Sequence, residues 1–348
     1  MRAVCIGWLF LAGCVSSGSD PIGQPQWVVQ DSGCTASLRG LAVVSPDVAW
    51  ASGANGTVCR TTDGGVTWQT TVVPGAEELD LRSIAAFDAE RALFFTAGTP
   101  ARLYRTDDGG ASFRLVYECE LEGAFFDALR FRDQHRGIAF SDPVDGAFLI
   151  LTSQDGGASW SRLPRAVLPA PLEGEAGFAA SNSGVCVMGA TTWIGTGGGA
   201  RPRVFASSDH GGTWRVADVP LRGGTASRGV FSLDFWDERN GVAVGGDYTA
   251  PDAVGGTAAY TRDGGATWSA SRSLPGGYRS AVAVVPGHDG RVAFAIGPNG
   301  CDVTTDGGRT WSQVGNLGFH TIGFTPDGSA GWASGSEGRI ARIELAPR

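Results

Sequence analysis

No lysine occurs anywhere in the chain; all 27 basic residues are arginine. That absence excludes Schiff-base chemistry and any lysine nucleophile or base. Long basic runs are missing too, and the formal net charge is −8. The basic stripe that a nucleic-acid binder presents is therefore not there, and no nucleic-acid partner is expected. Histidine is scarce, at four residues. Only His320 is placed to serve a Ser-His-Asp set, and no nucleophile-elbow motif accompanies any serine. The cysteines show no CxxC, CxxCH or zinc-type spacing, so no metal, haem or other cofactor is expected. Charged residues make up 18% against 42% hydrophobic, which excludes a disordered polyelectrolyte.

Glycine is abundant at 54 of 348 residues, and tryptophan is high at 11. Gly-rich turns between short apolar runs indicate an all-β chain. At the N-terminus Met1 and Arg2 precede an apolar run, 3–11, too short to span a bilayer as a helix; it reads as a signal peptide. The following LAGC (11–14) resembles the lipobox of bacterial lipoproteins. That resemblance implies cleavage after residue 13 and lipidation of Cys14. Residues 14–25 then form a lipidated flexible tether, rich in Ser, Gly and Pro. The expected location is exported, at the outer membrane or periplasmic face of a bacterial envelope, touching the membrane through the lipid alone. Cys34, Cys59, Cys119, Cys186 and Cys301 remain, an odd set at irregular spacings, and their pairing stays open.

One eight-residue turn recurs six times: TTDGGVTW (61–68), TDDGGASF (106–113), SQDGGASW (153–160), SSDHGGTW (207–214), TRDGGATW (261–268) and TTDGGRTW (304–311). Its aspartates are Asp63, Asp108, Asp155, Asp209, Asp263 and Asp306, spaced 45, 47, 54, 54 and 43 residues apart. Such a period suits one four-stranded blade per repeat. The carboxylate caps backbone N–H groups of a tight turn, glycines accept positive φ, and the aromatic ring plugs the neighbouring strand. Six copies cannot all be one active site, so these aspartates read as structural. A seventh unit, TIGF (321–324), AGWASG (330–335) and RIARIEL (339–345), has neither this turn nor an outer strand. QWVVQ (26–30) resembles the missing strand and is expected to close the ring, removing its open edges. The chain is thus expected to be a single seven-bladed β-propeller over residues 26–348.

These turns, with SLRGLAVVSPDVAWASGANGTVCRTTDGGVTW (37–68), FSDPVDG (140–146) and GWASGSEGRIAR (331–342), resemble the Asp-box (BNR) propellers. Within them the resemblance is to the photosystem II stability/assembly factor-like family. It implies a seven-bladed ring, usually non-catalytic, whose photosynthetic members help to assemble membrane complexes. Some relatives carry a loose oxidoreductase name. GTGGGA (195–200) partly mimics a dinucleotide fingerprint but precedes no helix, so it offers no pyrophosphate site.

Aligning the entrances of the inner strands places Arg39, Arg82, Asp127, Phe231, Arg279 and His320 at equivalent positions; the fourth unit, 178–181, aligns less cleanly. Ring closure should gather Arg279, His320, Arg39 and Arg82 into one positive arc at the channel mouth. Longer loops, 141–146, 195–203 and 245–256, bring Asp142, Asp145, Arg203, Asp247 and Tyr248 to the same face. Guanidinium groups there can clamp a carboxylate or phosphate. The expected partner is a protein or membrane-protein complex, or a small anionic ligand. The competing expectation is a sialidase-like glycosidase, with Arg39, Arg82 and Arg279 holding a carboxylate beside Tyr248 or Tyr278, or a carboxylate pair Asp127 and Asp142.

Overall fold

The computed structural model describes residues 25–345. The signal peptide, Cys14 and all but the last residue of the expected tether lie outside those described residues. Seven four-stranded antiparallel sheets are formed, and β-strands are joined by a single short 3-10 turn, Arg165–Val167, among the described residues. In blade 1 the strands run outward from the axis as Leu38–Val43, Ala49–Gly53, Thr57–Thr61 and Gln69–Val72. The inner strands of blades 2 to 7 are Asp80–Ala86, Phe126–Phe131, Val185–Met188, Arg228–Phe235, Ala281–Val284 and Thr321–Phe324. Each packs on its two neighbours around a closed circle, blade 7 returning to blade 1.

Burial follows position in the blade. The second strand of blade 1 is wholly buried, whereas its fourth strand is wholly exposed. Apolar side chains fill the wedges between blades; Trp50, Val58, Leu81, Ile84 and Phe94 join blades 1 and 2. Trp50, Trp193 and Trp332 lie on second strands and are fully buried. Alternating side chains on both faces of each sheet thus meet an adjacent sheet, which is why short strands suffice.

The repeated turn behaves as its chemistry requires. Asp63 accepts the backbone N–H of Thr67 at 2.9 Å and its hydroxyl at 2.6 Å; the Thr61 hydroxyl donates to Asp63 at 2.8 Å and accepts from the Gly65 N–H. The same contacts recur at Asp108, Asp155, Asp209, Asp263 and Asp306. Each box also docks on the face opposite the inner-strand entrances. There the Gly64, Gly109, Gly156, Gly264 and Gly307 N–H groups donate to carbonyls of the inner hairpin turns of their own blades.

Ring closure comes from the N-terminal strand. Gln26–Gln30 pairs antiparallel with Ile340–Glu344, the third strand of blade 7, from Gln26 opposite Glu344 to Gln30 opposite Ile340. Gln30 then latches the seam. Its Oε1 accepts from the indoles of Trp68 and Trp332, both at 3.1 Å, and its Nε2 donates to the Gly64 carbonyl at 3.2 Å. A Cβ on Gly65 would collide with that amide, and Gly65 has φ 87°, so the latch needs glycine twice over.

Candidate functional site

The channel is not open from end to end. Residues 177–183, between the outer strand of blade 3 and the inner strand of blade 4, cross it and bond to every other blade. The Gly177 N–H donates to Asp142 of blade 3 at 2.6 Å, and the Ala180 carbonyl accepts from Arg39 of blade 1 at 3.2 Å. Ser181 donates to the Ser280 carbonyl of blade 6, while its own carbonyl accepts from Thr321 of blade 7. Asn182, at φ 61°, donates to the Ile84 carbonyl of blade 2 and accepts from the Leu129 N–H of blade 3. The Ser183 and Ser232 hydroxyls pair at 2.7 Å, adding blade 5. This segment is the floor of the mouth. On the other face the channel opens as a cavity of about 910 Å³ lined by the far ends of all seven inner strands.

Three kinds of side chain stand around the floor. On one side Arg39, Arg82, Arg339 and His320 lie close enough to feel one another's charge. Burial, then Arg82, push the Arg39 guanidinium down from its ordinary value. Arg82 is held by Asp80 at 2.7 Å and Arg339 by the Gly318 carbonyl at 2.6 Å; all three arginines remain partly exposed. Burial and then the charges of Arg39, Arg82 and Arg339 hold His320 at about 3. The imidazole is therefore neutral at pH 7, and its Nε2 lies 3.2 Å from the Ser37 hydroxyl. On a second side Phe178 stacks on Phe231 with centroids 3.7 Å apart, and Tyr278 and Tyr248 meet Phe231 edge-on. On the third, Asp127 and Asp142 lie together. Burial, then Asp142, push the Asp127 carboxyl well above the usual range; neither of its buried oxygens has a hydrogen-bond partner. Burial holds Asp142 at about 6, against the N–H bond from Gly177.

Several expected mouth residues are engaged elsewhere. Arg279 sits at its expected position but is fully buried, with Nε 2.6 Å from Asp302, so it does not join an open arc. Arg203 is buried in an ion pair with Glu175. Asp247 is buried, accepting from Arg228 at 2.7 Å and from Thr249, and these bonds hold its carboxyl far below the ordinary range. Asp145 is exposed at a hairpin tip with φ 51°, its carbonyl taken by Arg165. Tyr248 is half exposed on the mouth face. The loop 195–203 is a clasp: Gly197 bridges Ala176 and Gly229, and a Cβ there would come within 2.4 Å of the Arg228 carbonyl. Sequence reasoning missed Arg339, Asp80 and the floor itself; the extra length between Asp155 and Asp209, together with the poor alignment of 178–181, was the available signal. Among the described residues no group of three or more His, Cys, Asp or Glu converges as a metal site requires.

Residues 22–126 match the family model described as photosynthesis system II assembly factor YCF48. No sequence among the curated proteins matches the chain. Among solved structures, YCF48 bound to D1 peptide superposes with TM-score 0.63 at 17% identity, covering 92% of this chain and 96% of that one. YCF48 from Cyanidioschyzon merolae gives TM-score 0.64 at 18% identity, over 91% and 98% of the two chains. A GH74 xyloglucanase from Xanthomonas campestris gives 0.63 at 18% identity, covering 91% of this chain and 53% of the enzyme. At such identities these likenesses establish the fold alone.

Proposed function

Because the chain is a BNR-type propeller of the photosystem II assembly factor-like family, we propose that it is a non-catalytic binding protein whose mouth captures an extended segment of a protein partner. The observation that carries this reading is the convergence of Arg39, Arg82 and Arg339 beside an aromatic wall, over a floor bonded to every other blade. A carboxylate of the partner suits the guanidinium side, and the rings of Tyr248 and Phe178 suit an apolar side chain. The YCF48 structure with D1 peptide bound supports this choice of partner class. A small anionic ligand would use the same guanidinium groups.

The glycosidase reading is less well served. Its arginine trio is broken by the burial of Arg279 against Asp302. Asp127 and Asp142 sit close enough for Asp142 to push the Asp127 carboxyl up, whereas carboxyls that flank a scissile glycosidic bond stand about 5–9 Å apart.

Affinity capture from the cell's own membranes tests the mouth. The Arg39→Ala/Arg82→Ala variant is expected to lose its partner with the melting temperature nearly unchanged, since both side chains are partly exposed. Arg279→Ala is the contrasting control: it strands Asp302 and is expected to cost about 3–5 kcal/mol of stability. Capture that survives the double substitution would move the site elsewhere. We further propose that a lipid on Cys14 holds the propeller at the envelope, where it assists assembly or maintenance of a membrane complex. The full chain is then expected to fractionate with membranes and the Cys14→Ser chain with the soluble fraction; co-sedimentation of both would refute the anchor.

A further inference from the structure

Two cysteines meet where the ring is closed. Cys34 lies in the segment 31–37 that carries the chain from the closing strand Gln26–Gln30 to the inner strand of blade 1. Cys59 lies in the third strand of that blade, Thr57–Thr61. Their Sγ atoms are 3.6 Å apart and both are thiols. Cys59 is fully buried, while Cys34 is partly exposed. Cys119, Cys186 and Cys301 are buried apart from them, against Tyr117, Asp234 and Asp302. The contact is therefore specific to one pair.

We propose that Cys34 and Cys59 form a disulfide in a thiol-oxidising environment and so bolt the closing strand to blade 1. The sulfurs already touch, and a small rotation of the more exposed Cys34 side chain brings them to bonding distance. The surroundings also divide the labour. The hydrogen bond from Cys59 lowers the Cys34 thiol to about 6 against the effect of burial, with help from Ser32, so thiolate is present at neutral pH. The bond to Cys34 and burial push Cys59 the other way. The Thr70 hydroxyl, which donates to the Ser32 carbonyl at 2.6 Å, lies 3.4 Å from the Cys59 sulfur and ties the Cys34 segment to the fourth strand of blade 1.

The oxidant is a disulfide, either a small molecule or a donor protein. The Cys34 thiolate attacks one of its sulfurs, forms a mixed disulfide and expels the first thiolate. Cys59 loses its proton, attacks the Cys34 sulfur and expels the second. Two protons and two electrons leave the protein, and one oxidant disulfide becomes two thiols. The new bond spans 25 positions. It also halts peeling of the N-terminal strand at residue 34, before blade 1 is reached.

The test treats the full chain with oxidised glutathione, blocks remaining thiols with iodoacetamide and maps peptides without reduction. One cross-linked species joining Cys34 to Cys59 is expected, lighter by two hydrogens. The oxidised chain should melt about 3–6 °C above the reduced chain, as a loop of this length implies for a large domain. Cys34→Ser, on the partly exposed side, should fold normally and lose both the cross-link and the shift; Cys59→Ser is expected to retain glutathione on Cys34 instead. Alkylation of both residues after oxidation, or a lasting glutathione adduct on Cys34 of the unmutated chain, would overturn the proposal. No binding partner enters the measurement, so its outcome is separate from that of the mouth.

Discussion

Arg39 and Arg279 stand at equivalent entrances of their inner strands, yet one ends on the carbonyl of Ala180 and the other on the carboxylate of Asp302. The difference is one of partners rather than of backbone. Asp302 lies 23 residues beyond Arg279 on the third strand of the same blade, where a local pattern in the sequence says nothing about which way it faces. Positions were legible here, while the depth of each side chain was not. His320 carries a measurable consequence. Folding holds it at about 3 against an ordinary 6.5, so between those values the unfolded chain binds a proton that the folded chain does not. Stability therefore falls as pH drops through that window. Asp142, raised to about 6, titrates in the opposite sense. Thermal melts of His320→Gln beside the parent chain should show a shallower loss of melting temperature from pH 6.5 downward; identical slopes would mean the imidazole is protonated in the fold.

At the scale of the strand and turn, legibility tracks sequence distance. The bonds that Asp63 and Thr61 make inside their box join residues no more than four apart, so the motif announces its own geometry. The bonds to Thr67 and Thr61 hold Asp63 at about 2, and Asp155 and Asp209 are held at about 2 in the same way. The closing strand was legible by elimination, because unit seven lacks a fourth strand. Gln30 was not, since its partners lie 34, 38 and 302 residues away. Gln30→Ala removes three hydrogen bonds and leaves two indole N–H groups without their acceptor. At about 1 kcal/mol per bond it is expected to destabilise by roughly 2–4 kcal/mol. Urea unfolding reads this directly; a loss within error would show that water replaces the latch.

Seven sheets in a ring follow from the repeats, but the segment across the channel does not. Asp155 to Asp209 and Asp209 to Asp263 span the same 54 residues. The first surplus runs inward as the floor, and the second runs outward as the loop 245–256 around exposed Tyr248 and Val254. Length reports that a blade carries extra chain and is silent on its direction. Small polar residues decided it: Ser181 and Asn182 supply donors and acceptors to backbone groups at the inner strands, which a longer apolar stretch would have left unsatisfied, and Ser183 pairs with the Ser232 hydroxyl.

That crossing turns a tube into a wheel with a hub. Nothing can thread from one rim to the other, so whatever rests on the arginine side never meets whatever enters the cavity behind it. A load applied at the centre is also shared among six spokes at once, because one short stretch of chain holds them all.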